Sequence, residues 1–216
     1  MVETTRRREI EEVASSLFRE RGYSGTSVRD IARALDIQGA SLYAHVASKQ
    51  DVLWSIVDRT ASRFEAAADD VGSEADGAMA PAECLAALVR AHVTIVTDDV
   101  ERASVFVHEW RSLSVERRAI IERRRDEYEA RFRGVIRAGI ADASFAEVDP
   151  DVAAAFVLTA LNGLVTWYHP EGRLTGAAIA DAYVALALRS VGAGARNGNA
   201  NGAGSDAPPS TVEVPG

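Results

Sequence analysis

Apolar residues recur at three- and four-residue intervals along nearly the whole chain, and no stretch alternates apolar with polar in the two-residue rhythm of a strand. The pattern predicts an all-α protein. Ile10, Val13, Ala14, Leu17 and Phe18 form one face of a helix from about Thr4 to Arg21, which Gly22 is placed to end. Val28, Ile31, Ala32 and Leu35 mark a second, short helix. Ser27 stands at its start as a cap, and Asp30 brings a carboxylate to the unpaired amides of the first turn. Asp36-Ile37-Gln38 interrupts the rhythm. Gly39 to Tyr43 then opens another short helix, with Leu42 and Val46 turned inward. Two short helices joined by a tight turn, set behind a longer one, make a helix-turn-helix.

Beyond it, Ser48-Lys49-Gln50-Asp51 caps a longer element. Leu53, Ile56, Val57, Ala61 and Phe64 keep inward positions from Gln50 to about Ala68, so one helix is expected to join the small head to the rest. Asp69–Pro81, with Gly72, Gly77 and Pro81, reads as a loop. Helices are then predicted near Ala82–Thr97, Val100–Leu113, Val115–Ala143, Pro150–Tyr168 and Gly176–Val191. The charged face of Val115–Ala143 interleaves Arg with Asp and Glu at helix-neighbour spacing and reads as solvated and paired within its own helix. The last two segments are apolar on too many sides for a surface helix. One side of them can face the chain's own core and another a second copy, which predicts a homodimer; a buried monomer core is the alternative. The expected organisation is a helix-turn-helix domain over 1–49, a helical effector-binding and dimerisation domain over 50–192, and a disordered tail over 193–216 rich in Gly, Ala, Asn, Pro and Ser.

The surface of the second short helix carries the first functional chemistry. Gln38, Gly39, Ala40, Ser41, Tyr43 and His45 lie on or near its outer side. Small residues at its start allow close approach to a groove, the Gln38 amide suits an adenine edge, and hydroxyl and imidazole groups suit phosphates. Lys49 adds a cation at a helix N-terminus, where backbone amides already favour an anion. A single head reads few bases, whereas two heads about 34–36 Å apart, or a multiple of that, read a palindrome. Double-stranded operator DNA is therefore the expected partner.

Charge refines this picture. The net charge is −8, yet residues 1–49 hold eight basic against seven acidic side chains, so the acidity belongs to the rest of the chain. An acidic body behind a near-neutral head limits indiscriminate DNA binding. Cys84 is the only cysteine, which excludes an intrachain disulfide and a cysteine-based zinc site. With no secretory pattern and no apolar run judged long enough to span a bilayer, a cytoplasmic protein with no membrane partner is expected.

The middle helices place polar and aromatic residues on otherwise apolar stretches: His92, Phe106, Glu109, Trp110, Arg111, Tyr128, Asn162 and Trp167 are the candidates for a small-molecule cavity. An all-α enzyme is the rival class. No His pair has metal-ligand spacing and no nucleophile–base motif stands out, so no catalytic residues, metal or cofactor are expected. A helical interaction module that never meets DNA is the other rival.

The head resembles the DNA-binding domain of TetR-family transcriptional repressors. The resemblance rests on Thr26, Ile31, Ala32, Leu42, Tyr43, His45, Ser48, Lys49 and Leu53, preceded by the Arg6–Arg21 helix and Gly22-Tyr23. It implies that Thr26 or Ser27, Tyr43, His45 and Lys49 hold the DNA backbone and that Gln38–Ser41 meet bases. Two positions depart from the family pattern: Asp36 stands where a turn glycine is usual, and Val46 where an aromatic is usual. Asp tolerates the left-handed conformation and Val fills an apolar slot. Leu161-Asn162-Gly163, the run Trp167 to Thr175, and His108-Glu109-Trp110-Arg111 resemble a subgroup that controls fatty-acid, aromatic-acid and steroid side-chain catabolism by sensing acyl-CoA thioesters. That implies a repressor released by an acyl-CoA. A free fatty acid, a steroid or an antibiotic remains open as the effector.

Overall fold

The computed structural model describes residues 2–75 and 79–194, and every regular element among them is helical. The expected tail lies, from residue 195 on, outside the described residues. The head consists of α1 (Val2–Arg21), α2 (Val28–Ala34) and α3 (Gly39–Tyr43). Ile10, Ala14 and Phe18 of α1, Ile31 of α2 and Leu42 of α3 are buried together, which accounts for the apolar spacing of all three segments. Gly22 ends α1 at φ +74°, its amide donating to Phe18 O at 2.9 Å. Ser27 caps α2 reciprocally with Asp30: the Ser27 hydroxyl accepts from the Asp30 amide, and the Asp30 carboxylate accepts from the Ser27 amide. In the turn between α2 and α3, Asp36 adopts φ +53°, the left-handed conformation expected of it in place of glycine.

The body is built around α5 (Pro81–Asp98), which packs on α4 (Lys49–Ala75), α7 (Val115–Ala141) and α10 (Gly176–Ser190). Between α5 and α7 lie α6 (Val100–His108) and a single 3-10 turn (Trp110–Ser112). α8 (Pro150–Asn162) and the short α9 (Leu164–Trp167) follow α7, with α8 packed along it. α4 runs past the expected loop start at Asp69 to Ala75, with Gly72 inside it. A helical Gly costs up to about 1 kcal/mol, and packing of Ala68 and Val71 on the core offsets that. The predicted Pro150–Tyr168 helix is divided at Gly163. By length and composition alone the window Pro150–Trp167 is apolar enough to cross a membrane, as core helices of folded proteins also are, and the break at Gly163 interrupts it. Only about a third of that window is buried inside the chain, so a substantial apolar face is left over.

The reading of α7 as a helix paired only with itself needs correction. Arg118–Glu122 and Arg123–Glu127 do pair within the helix. Arg117, Arg124 and Arg131, one heptad apart, instead reach across to α4. Arg117 pairs with Asp51 at 2.6 Å, Arg124 with Asp58 at 2.7 Å and Glu65 at 2.5 Å, and Arg131 with Asp69. The Glu65 carboxylate beside Arg124 holds its guanidinium more firmly charged than usual.

Candidate functional site

The outer face of the head is formed by α3 and its approach. Gln38, Ala40, Ser41 and Tyr43 are exposed there, Tyr43 to 56 %. Gly39 is half-buried, and a Cβ built on it would meet nothing within 4 Å, so the backbone at the start of α3 faces open space. Ser27 is exposed beside it, although its hydroxyl is engaged with Asp30. His45 is half-buried, and its Nδ1 is enclosed without a partner. Two sequence candidates are held inside the head instead. Thr26 is 2 % exposed and its hydroxyl donates to the carbonyls of Leu17 and Gly22, so its side chain has no free surface to offer DNA. Lys49 spends two of its three donors on Tyr23 O at 2.8 Å and Thr26 O at 2.7 Å, and its ammonium lies 4.0 Å from the centre of the Tyr23 ring. That cation locks the corner between α1, α2 and α4, and burial lowers its pKa from the usual lysine value.

The head is fastened to the body at several points. Glu11 of α1, 1 % exposed, faces Arg59 of α4 at 3.3 Å, and Arg102 of α6 reaches Glu12 at 3.6 Å. Gln50 donates to Ser112 O at 2.6 Å, and Arg117 pairs with Asp51 at the start of α4. Asp51 is held well below the usual carboxylate range, first by the Ser48 hydroxyl and then by Arg117. α4 thus begins among the residues that position the outer face of the head.

Further along, α4 forms a wall of a cavity of about 230 Å³. Ala61, Phe64 and Glu65 line it from α4, His92 from α5, Phe106 from α6, Arg124, Arg125 and Tyr128 from α7, and Leu158 and Asn162 from α8. Its centre is an aromatic cluster: the Phe64 ring lies 4.6 Å from His92, 5.4 Å from Phe106 and 5.5 Å from Tyr128, centre to centre. His92 is 2 % exposed, with Nδ1 at 3.2 Å from the Tyr128 hydroxyl. Burial, and secondarily the nearby Arg125 cation, pushes its pKa down to about 3, so the imidazole is neutral at physiological pH. Burial likewise keeps Tyr128 a phenol.

Four of the eight cavity candidates therefore come together: His92, Phe106, Tyr128 and Asn162. The other four do not line it. Glu109 is half-buried at the seam with the head, its Oε1 3.6 Å from where a Cβ on Gly22 would stand. Trp110 is buried beneath two arginines, Arg111 at 4.5 Å and Arg125 at 5.3 Å from the ring. Arg111 is itself exposed, and Trp167, 45 % exposed, stacks on Tyr183 of α10. Phe64, Arg124 and Arg125 are among the lining residues that the sequence reading passed over. Phe64 looked like ordinary core, and the two arginines like part of a solvated face.

A different kind of surface lies on α8 to α10. Val152, Phe156, Trp167 and Leu186 are exposed between 45 and 67 %. Phe156, Ala160, Tyr183 and Leu186 border an apolar groove of about 410 Å³ between α8 and α10. Exposed apolar residues of this size are suited to an interaction surface.

Comparison with known proteins supplies an independent test. Residues 10–56 match the family described as bacterial regulatory proteins, tetR family, and residues 78–191 match the tetracyclin repressor-like C-terminal domain. The chain is 30 % identical over 190 residues to the HTH-type transcriptional repressor KstR2 of Rhodococcus jostii, covering 85 % of this chain and 89 % of that protein. The solved structure of the ketosteroid transcriptional regulator KstR2 of Mycobacterium tuberculosis superposes with a TM-score of 0.80 at 29 % identity, covering 86 % of this chain and 94 % of the other. AibR in complex with isovaleryl coenzyme A and operator DNA superposes with a TM-score of 0.72 at 32 % identity, covering 84 % and 97 %.

Proposed function

The chain belongs to the TetR family of bacterial regulatory proteins, and from that premise we propose that it is a cytoplasmic, homodimeric transcriptional repressor, released from a palindromic operator by an acyl-CoA thioester. The observation that carries the reading is the shared use of α4. One helix anchors the corner of the head through Lys49 and supplies Ala61, Phe64 and Glu65 to the cavity wall. Anything that changes the cavity's width acts on the same rigid element that positions α3.

Residues 1–49 serve as the reading head and 50–192 as the effector and dimerisation body. Gln38, Gly39, Ala40 and Ser41 are assigned to base edges, and Ser27, Tyr43 and His45 to phosphates. Lys49 acts by fixing the head's geometry, with one donor left for a phosphate. The apolar face of α8 and α10 is assigned to the two-fold interface, which sets the spacing of the two heads. A volume of about 230 Å³ lies below the roughly 300–1,000 Å³ typical of drug-sized ligands. It suits a short acyl group, with the coenzyme left toward solvent. The AibR complex with isovaleryl coenzyme A and the likeness to KstR2 support a thioester effector for this chain too. A bulkier acyl group would have to spread α4 from α7 to enter. For release to follow, it must bind the spread form more tightly than the operator-bound form.

The test is footprinting and fluorescence anisotropy on the DNA upstream of the chain's own gene, with and without isovaleryl-CoA and longer acyl-CoAs. A protected palindrome, lost on adding a thioester, is expected. Absence of any protected palindrome would sink the repressor reading; a palindrome indifferent to every thioester would sink the effector assignment alone.

A further inference from the structure

Taking the cavity as the effector site, its polar wall carries a charge that the fold leaves unanswered. Arg124 and Arg125 are neighbours on α7 and both line it. Arg124 is fully engaged, bonding Asp58, Ser62 and Glu65. Arg125 has no carboxylate within ion-pairing distance among the described residues, and its Nη1 is buried without an acceptor. It packs instead over the rings of Phe106, at 5.1 Å, and Trp110, at 5.3 Å. Enclosure in this setting, with Arg111 nearby, lowers its pKa from the usual arginine value. Asp126 and Glu129 also border the cavity, but Asp126 is exposed and Glu129 is shared with Arg133 at 4.0 Å. Partial removal of a guanidinium from water without a direct ion pair is unfavourable, and cation–π contact and the more distant Asp126 and Glu129 charges offset only part of that cost.

A second orphan stands on α5. His92 is almost wholly buried, and its Nε2 has no hydrogen-bond partner. In the tautomer in which the Tyr128 hydroxyl donates to Nδ1, the ring proton sits on Nε2 and makes it a neutral donor. A cation without an ion-pair partner and a buried imidazole nitrogen without a hydrogen-bond partner therefore border one small cavity.

We propose that Arg125 and the Nε2–H of His92 receive a carboxylate of the effector, whose apolar body fills the space between Phe64, Phe106 and Leu158. The carboxylate can come from a free apolar acid or from the far end of a carboxylate-terminated acyl thioester. This deepens the assignment of the cavity to an effector and rests on it.

Calorimetry on the full chain, without DNA, tests the proposal with four probes: octanoate, octanamide, adipyl-CoA and hexanoyl-CoA. At least one carboxylate-bearing probe should bind about thirtyfold or more tightly than its neutral counterpart. Binding of octanoate assigns a free acid, and binding of adipyl-CoA alone assigns the thioester source. Arg125→Gln should abolish the contrast, Arg125→Lys should restore part of it, and Arg123→Gln, on the exposed side of α7, should leave it unchanged. Equal binding within both pairs, octanoate against octanamide and adipyl-CoA against hexanoyl-CoA, no binding of either carboxylate, or a contrast that survives in Arg125→Gln would each overturn the proposal. The acid–amide contrast in the unaltered chain stands even if the arginine variants fail to fold. Operator binding is measured separately, so loss of the repressor reading leaves the calorimetric result interpretable.

Discussion

Acidifying from pH 7 to pH 5 should remove about 2 kcal/mol of folding stability through His92 alone. The imidazole is enclosed against Phe64 and Tyr128, and burial, reinforced by the Arg125 cation, depresses its pKa from 6.5 to about 3. As the pH falls through 6.5 the unfolded chain takes up a proton that the folded chain refuses until near pH 3. The contribution is therefore present in full above pH 6.5 and declines by about 1.4 kcal/mol per pH unit below it. The measurement is urea unfolding, followed by circular dichroism at pH 7, 6 and 5, for the unaltered chain and His92→Gln. Protein concentration must be matched, since a dimer's stability depends on it. His92→Gln lowers stability at pH 7 but cannot titrate, so the gap between the two proteins should narrow by about 2 kcal/mol on reaching pH 5. The carboxylates held low in the fold, such as Asp30 and Asp51, lose their contribution only as the pH falls into the carboxylate range, and they do so in both proteins. A gap that stays constant from pH 7 to pH 5 would refute the enclosed, neutral imidazole.

Tyr43→Ala should weaken operator binding about tenfold or more while leaving unfolding within about 0.5 kcal/mol, because the ring is exposed and touches little of the core. Lys49→Ala should behave oppositely in emphasis, costing the fold about 1–3 kcal/mol in denaturant titration as the carbonyls of Tyr23 and Thr26 lose their donor. Gly139→Ala should destabilise by about 1–3 kcal/mol, since its new Cβ would lie 2.3 Å from the Phe145 ring; an unchanged melting temperature would show that Phe145 yields freely. Phe156→Glu should turn the dimer into a monomer in sedimentation without altering its helix content, because that side chain is 62 % exposed on the face assigned to the partner.

Local signals in the head were legible because they are carried by neighbours in sequence. Ser27 with Asp30, Gly22 after α1 and Asp36 in the turn each announce a backbone conformation that their own chemistry supports. The end of α4 was not legible: Gly72 looks like punctuation until tertiary contacts of Ala68 and Val71 hold the helix through it. The cavity was half legible. His92 and Asn162 stand out as polar residues on apolar faces, whereas Phe64 is indistinguishable from core by spacing. Arg124 and Arg125 could not be sorted from Arg123, because their meaning depends on which helix packs against α7. Thr26 and Lys49 illustrate the converse. A polar residue near a reading surface invites assignment to the ligand, yet both serve the corner that presents that surface.

The heptad-spaced arginines of α7 give α4 a fulcrum. Arg124 grips Asp58 and Glu65 at once, so a small rotation of α4 about that grip trades one carboxylate for the other without breaking the hold. From the middle of that grip to Lys49 is about a dozen residues, or roughly 20 Å of helix. A rotation of about 10° there would carry the head some 3–4 Å, and two heads moving oppositely would shift about 7 Å against a half-site separation of about 34 Å. The grip lies near the middle of α4, about as far from Ala75 as from Lys49. Ala61, Phe64 and Glu65, which line the cavity, lie at the grip itself, so under the proposed release a small displacement there would reach the end of α4 beside the head enlarged.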